Sequence, residues 1–386
     1  MPQAQRIYLD HAATSWPKPE AVYAAVERYQ RELGAPAGRG VYAEALEVQD
    51  QVEQARSGIA RLIGAGDARR VVFCYSGTDA LNQAILGTVR DGTHVITTVV
   101  EHNSVLRPLG ALEDAGRIRV TRVGCDASGF VDPAEIERAW LPSTQLVVVT
   151  HASNVTGAIQ PIRDIGVVAH RRGGLLLVDA AQTLGEVPLN AGQLEIDLLA
   201  APGHKGLLGP LGTGLLYLRP GVEPEPLRRG GTGSRSQSDR QPDELPDRFE
   251  AGNLNVPGIV GLAAGVDYLH QRTVERVRAD SIVLTNRLLA GLASIKGVRL
   301  FGPPPGEQRV GIASITVDGY DPQELALLLD TAYRVQGRPG LHCAPLMHAA
   351  LGTLDHGGTL RLSLGCLSTA DDVDAAVAAI AAAAAG

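Results

Sequence analysis

The chain has 386 residues, 45% of them hydrophobic and 20% charged, which is the composition of a folded globular protein and not of a disordered or fibrous one. That length predicts two domains. A net charge of −7 argues against a nucleic-acid partner, which selects a basic surface.

The opening MPQAQRIYLD lacks the apolar core of a signal peptide. No apolar run is long enough to span a bilayer, so the expected location is cytoplasmic, with no membrane partner. Four cysteines are present, Cys74, Cys125, Cys343 and Cys366. None lies in a CxxC pair, so neither a zinc nor a redox motif is formed and no metal is expected. In a large cytosolic chain the thiols stay reduced.

In chain order, short apolar runs at Arg70–Cys74, His94–Val100, Gln145–Thr150, Leu175–Val178 and Gly214–Leu218 read as strands. They are continuous apolar blocks, the mark of strands covered on both faces in a mainly parallel sheet. Helices are expected at Asp79–Val89, Val105–Ala115, Pro133–Ala139 and Ile162–Arg171. The pattern is α/β.

Gly221–Asn255 is rich in Gly, Pro, Arg, Ser and Asp and reads as a long surface excursion. Helical patterning resumes near Pro257 and runs towards Leu292, followed by strands at Val298–Phe301 and Ile312–Val317 and a helix at Gln323–Leu329. The expected domains are 15–255 and 256–386, the second joined by the N-terminal segment 1–14.

Polar residues punctuate the strand ends. Cys74–Asn82, CYSGTDALN, puts a Ser-Gly-Thr turn before a helix. That is a ready anion site, or an ordinary cap made by Thr78 or Asp79. His102 follows the second run, where an imidazole can stack on an aromatic group and move protons, or be structural. Asn154, in THASNVTG, can bond a ligand oxygen or cap a turn. Asp179 ends LLLVD, where ligands of α/β sheets bind, with Gln182 three residues on.

Lys205 lies in the Gly-rich loop APGHKG. Alone it reads as a surface lysine. Paired with Asp179 it suits pyridoxal phosphate (PLP), which needs a lysine to form a Schiff base and an anion to keep its pyridine nitrogen protonated.

The whole set resembles the class V aminotransferase-like family of fold-type I PLP enzymes, in its cysteine desulfurase and selenocysteine lyase branch. The likeness runs through YLDHAAT (Tyr8–Thr14), SGTDALN, EHNSV, SNVTG, VDAAQ, GHK, RFEAGN (Arg248–Asn253), RPGLHC (Arg338–Cys343) and TLRLSL (Thr359–Leu364). It implies a large domain with a mainly parallel sheet and a smaller α+β C-terminal domain. It implies that Lys205 carries the cofactor and shuttles protons, Asp179 pairs with the ring nitrogen, His102 stacks on the ring and Gln182 bonds the ring oxygen.

By the same resemblance Gly77, Thr78 and His204 hold the phosphate, and Thr232 adds a contact from the partner subunit of a homodimer. Asn154 and Arg361 receive the substrate carboxylate, with Arg338 nearby; an Arg suits that task through its planar fork. Cys343 reads by itself as a buried, inert thiol. The resemblance makes it the nucleophile that takes sulfur from L-cysteine, leaving L-alanine and a persulfide for an acceptor protein.

The same scaffold supports selenocysteine lyase and sulfinate desulfinase activity. Further alternatives are another lyase, epimerase or aminotransferase, or a PLP-binding protein without catalysis. His11 stands where the family has Asn, and Pro202 where many members have a phosphate-binding Ser.

Overall fold

In a computed structural model, which describes residues 6–38, 40–306 and 308–385, the apolar runs assemble into one seven-stranded sheet. A short strand β1 (Ile7–Tyr8) and two helices, α1 (Glu20–Arg28) and α2 (Ala43–Leu62), precede it. Strands and helices then alternate as β2 (Val71–Cys74), α3 (Gly77–Thr88), β3 (His94–Thr98), α4 (Asn103–Asp114) and β4 (Arg119–Val123). They continue as α5 (Pro133–Arg138), β5 (Thr144–Thr150), α6 (Ile162–Arg171) and β6 (Leu175–Asp179), and β7 (Leu198–Pro202) and β8 (Gly214–Leu218) complete the sheet.

Its strand order is β2-β8-β7-β6-β5-β3-β4, and β8 alone runs against its neighbours. The carboxyl ends of β2, β3, β5, β6 and β7 therefore share one edge. Successive side chains point to opposite faces: Val147 and Val149 join one buried cluster, Leu146 and Val148 the other. Double burial of this kind is why the strands lack polar alternation.

The later chain holds α7 (Val256–Arg272), α8 (Val274–Ala293), β9 (Val298–Phe301), β10 (Ile312–Val317) and α9 (Pro322–Tyr333). After them come β11 (Val335–Gln336), β12 (Arg338–Gly340), α10 (Pro345–Leu351), β13 (Thr359–Ser363) and α11 (Ala370–Ala385). The helical patterning that runs from near Pro257 towards Leu292 folds as two helices. Thr273 has φ +65°, which ends α7, and its hydroxyl caps α8 by accepting from Arg276 N at 3.2 Å.

A four-stranded antiparallel sheet, β12-β13-β10-β9, forms the second layer, and β1 pairs with β11. Leu9 is buried in its core with Leu288, Leu325 and Leu362. The buried side chains of α7, such as Ile259 and Leu262, instead pack with those under the large sheet. We propose the division into two domains in that form, with α7 on the large side instead of beyond a boundary at 255/256; residues 1–5 of the N-terminal segment lie outside the described residues.

Residues 221–255 hold neither strand nor helix. Their anchor is Glu250, whose carboxylate takes both terminal nitrogens of Arg56 at 2.7 and 3.0 Å. The same pair seals the open edge of β2: Glu250 accepts from Phe73 N at 2.6 Å and Arg56 donates to the Val71 carbonyl at 2.6 Å. An edge strand left bare is a template for unwanted pairing.

Candidate active site

The shared strand edge opens into a cavity of about 220 Å³. Gly77, Thr78, His102, Asn154, Asp179, Gln182, His204, Lys205, Arg338, Cys343 and Arg361 all line it. The five strand ends supply one end of the cavity. The second layer supplies the other: Arg338 from β12, Arg361 from β13, and His342 and Cys343 from the loop before α10. Thr232 is not brought there by this chain. It lines a separate cavity of about 600 Å³ together with Arg56 and Glu250.

At the end of β2 the cap of α3 is Ser76, not Thr78 or Asp79: its hydroxyl accepts from Asp79 N at 3.1 Å. The correction matters, because Thr78 is freed for another bond. Its hydroxyl pairs with Ser104 Oγ at 2.8 Å, and Ser104 Oγ lies 2.9 Å from His102 Nδ1. Ser104 N also donates to that nitrogen at 3.0 Å.

His102 is thus the N-cap of α4, its ring fixed by two partners and its Nε2 left for the cavity. Burial, with Lys205 and arginine charges, lowers its pKa to about 4, so the ring is neutral. No side chain is tolerated easily at position 77, where a Cβ would stand 3.0 Å from Pro202 Cδ. The proline that replaces the family's serine packs against the helix start instead of donating a hydrogen bond.

Asp179 is 4% exposed, and its Oδ1 accepts from Ala181 N at 2.9 Å. Burial raises its pKa, opposed by that bond and by Lys205. Burial also pushes the Lys205 ammonium down to about 8, against the pull of Asp179. An amine so placed holds a larger unprotonated fraction near neutral pH than an ordinary lysine, which a nucleophilic lysine requires.

Gln182 donates to the Ala12 carbonyl at 3.1 Å. Arg361 is almost fully buried. Its two terminal nitrogens donate to the Asn154 carbonyl at 3.0 Å and to Asp10 Oδ1 at 2.9 Å. Asn154 in turn donates to the His342 carbonyl at 2.6 Å.

The four cysteines separate cleanly. Burial raises the thiols of Cys74, Cys125 and Cys366, the last to about 12, and leaves them inert. Cys343 is exposed and lines the cavity, as do Arg338 and Arg361.

Several groups carry no signal in the sequence. Asp10 lies in YLDHAAT, and its place could be found only from the bridge that brings β1's continuation to Ser363. Ser104 lies in EHNSV and shows itself only through the cap geometry.

Glu101 is fully buried, accepting from Thr98 Oγ1 at 2.7 Å and Thr150 N at 3.1 Å, while Oε2 has no partner among the described residues. Burial raises its pKa to about 8. Between pH 4.5 and 8 the folded state holds a proton that the unfolded state has lost, so stability falls as pH rises through that window. Glu101→Gln removes the loss. The variant is expected to be more stable by roughly 3 kcal/mol at pH 7, the gain vanishing near pH 4.5. Denaturant melts at the two pH values check it; equal gains at both would refute it.

The comparisons with known proteins agree with the geometry. Residues 7–376 match the family model Aminotransferase class-V, and the chain belongs to that family. Its relatives carry a narrower name. A probable cysteine desulfurase of Methanothermobacter thermautotrophicus is 36% identical over 372 residues, covering 95% of this chain and 92% of the relative. Cysteine desulfurase IscS of Methanosarcina thermophila is 33% identical over 380 residues, covering 95% and 89%. Among solved structures, the apo cysteine desulfurase of Thermococcus onnurineus superposes with a TM-score of 0.92 at 31% identity, covering 99% of this chain and 95% of that one. No helix among the described residues is long and apolar enough to cross a membrane.

Proposed function

We propose that this chain is a PLP-dependent cysteine desulfurase that converts L-cysteine to L-alanine and holds the sulfur as a persulfide on Cys343. One observation carries the reading: the only exposed thiol among the described residues opens onto the cavity that Lys205 and Arg361 line.

The cavity fits a group with an anionic end and a basic aromatic ring. At the start of α3 the N–H groups of Gly77 and Thr78 have no acceptor among the described residues, because Ser76 takes those of Asp79 and Ala80. His204 Nδ1 and Arg361 Nε are likewise buried without a partner. Gly77, Thr78 and His204 would hold the phosphate, with Thr232 of a second copy adding to them in a homodimer. Asp179 would hold the ring nitrogen, Gln182 the ring oxygen and His102 the ring face, and Lys205 Nζ would make the covalent link. When bound, PLP supplies an electron sink that makes the carbon skeleton of the substrate acidic.

Each remaining task falls to this chain. Arg361 receives the substrate carboxylate, with Asn154 beside it. Asp10 holds the guanidinium in place, and Arg338 adds positive charge at the entrance. Lys205 Nζ, with its pKa near 8, takes and returns protons at the substrate carbons.

Cys343 Sγ attacks the substrate sulfur. The new S–S bond forms as the substrate C–S bond breaks, and the carbon skeleton gains a proton and leaves as alanine. The persulfide then passes to an acceptor protein or thiol. The test is sulfide and alanine release from L-cysteine under reductant, by wild type and by Cys343→Ala. Equimolar products from the wild type and none from the variant are expected. Unchanged turnover in the variant, or no sulfide from a PLP-loaded wild type, would sink the assignment.

A further inference from the structure

The loop that carries Cys343 is shaped from its far side as well as from the cavity. His342 and Cys343 are consecutive residues with φ of +50° and +58°, a backbone that residues with a Cβ adopt only when their surroundings impose it. Part of that constraint comes from the segments that follow β3 and β5: Asn103 N donates to the Cys343 carbonyl at 2.7 Å, and Asn154 Nδ2 to the His342 carbonyl at 2.6 Å.

The rest is a buried line of side chains. His342 Nε2 lies 2.9 Å from the Arg338 carbonyl, and His342 Nδ1 lies 3.3 Å from His348 Nε2. His348 Nδ1 lies 2.8 Å from Thr353 Oγ1.

Only one order of hydrogens satisfies this line. A carbonyl can only accept, so His342 Nε2 carries the hydrogen. Burial keeps His342 and His348 neutral. His342 Nδ1 is therefore bare and must accept from His348 Nε2–H. His348 Nδ1 is then bare in its turn and accepts the Thr353 hydroxyl at 2.8 Å, the shorter of that hydroxyl's two contacts, the other being the His348 carbonyl at 3.4 Å. Reversing any member sets two lone pairs or two hydrogens against each other. His348 is 0% exposed and Thr353 4%, and neither lines the cavity.

We propose that His348, anchored by Thr353, is a positioning residue for Cys343: it fixes His342 in one tautomer and so holds the thiol-bearing loop in its left-handed conformation. The proposal rests on the reading of Cys343 as the sulfur acceptor.

The test uses PLP-loaded enzyme and two variants, His348→Leu, which keeps the apolar bulk and removes both nitrogens, and His348→Gln, whose side-chain N–H can donate to His342. Two rates are read: alanine formation from L-cysteine, and alkylation of Cys343 by iodoacetamide without substrate, followed by mass. His348→Leu is expected to slow alanine formation about tenfold or more at unchanged KM, the cost of a misplaced reacting group, and to change the alkylation rate. His348→Gln recovers most of both. A folded His348→Leu protein equal to wild type in both rates overturns the proposal.

Nitrogen-15 spectra of histidine-labelled wild-type holoenzyme test it without any variant: His342 protonated at Nε2 alone supports it, and Nδ1–H sinks it. If wild type makes no alanine but alkylation still depends on His348, the assigned function fails while the positioning role stands.

Discussion

Replacing Lys205 with alanine is expected to cut the turnover of L-cysteine by about 10⁴-fold or more, since on the proposed function the residue is both covalent anchor and proton carrier. Lys205 is the only lysine among the residues lining the cavity. The neighbouring Arg338 and Arg361 cannot deputise, because a guanidinium does not give up its proton near neutral pH. His102 cannot either: with Nδ1 accepting from Ser104 N, the Nε2 of the neutral ring already carries its hydrogen, and burial holds the pKa at about 4.

The variant should fold. Lys205 contributes charge in a buried place that disfavours it, so its removal relieves a cost instead of adding one. Thermal melting separates the two effects. Loss of turnover with an unchanged melt is the expected result, and a Lys205→Ala protein that keeps a tenth of wild-type turnover would refute the role.

The second large effect is on stability. Arg56→Ala is expected to cost about 3–5 kcal/mol, the penalty for leaving the buried Glu250 charge unpaired; Glu250→Ala is expected to cost less, because Arg56 keeps Glu53 at 3.3 Å. Each side chain is nearly inaccessible, 1% and 6% exposed. Arg56 also stacks over Phe73, 4.6 Å from the ring centroid. Replacing both by apolar residues of similar volume is often harmless for an isolated buried pair. Here it should not be, because Phe73 N and the Val71 carbonyl would lose their partners on the edge of β2. Urea unfolding of the single variants and of Arg56→Met/Glu250→Leu distinguishes these cases. A double variant as stable as wild type would show that the edge is satisfied some other way.

The sheet was legible where its strands are buried on both faces, since an unbroken apolar run too short for a helix fits a buried strand best. Two strands escape that pattern. β4, RVTRV, is an edge strand whose residues are mostly part exposed, so it lacks the apolar block. β7, LLAAP, is fully buried, but it is short and ends in proline, which ordinarily argues against a central strand.

The site was legible to the extent that its residues follow strands. Asp179 and Lys205 declare themselves by position and type. Asp10, Glu101 and His348 do not, because their significance depends on partners from other elements: Arg361 is 351 positions from Asp10, and Glu101 reaches the end of β5. Glu250 lay in view within RFEAGN but carried no signal of its partner, 194 residues away. Thr273 defeats helix patterning because neighbouring sequence on both sides is helical; only its backbone angle breaks the run.

The two bonds that tie the His342 and Cys343 carbonyls to Asn154 and Asn103, beyond the ends of β5 and β3, bear on sulfur delivery. A thiol on a long tether could collect sulfur in one place and hand it over in another. Cys343 has no such travel, for its chain is tied on the side of the cavity where the sulfur arrives. On the proposed function, pick-up and hand-over then happen at nearly one point. On that same reading the acceptor must bring its own reach: a narrow projection carrying a thiol, or a small thiol molecule, that can reach the exposed Cys343.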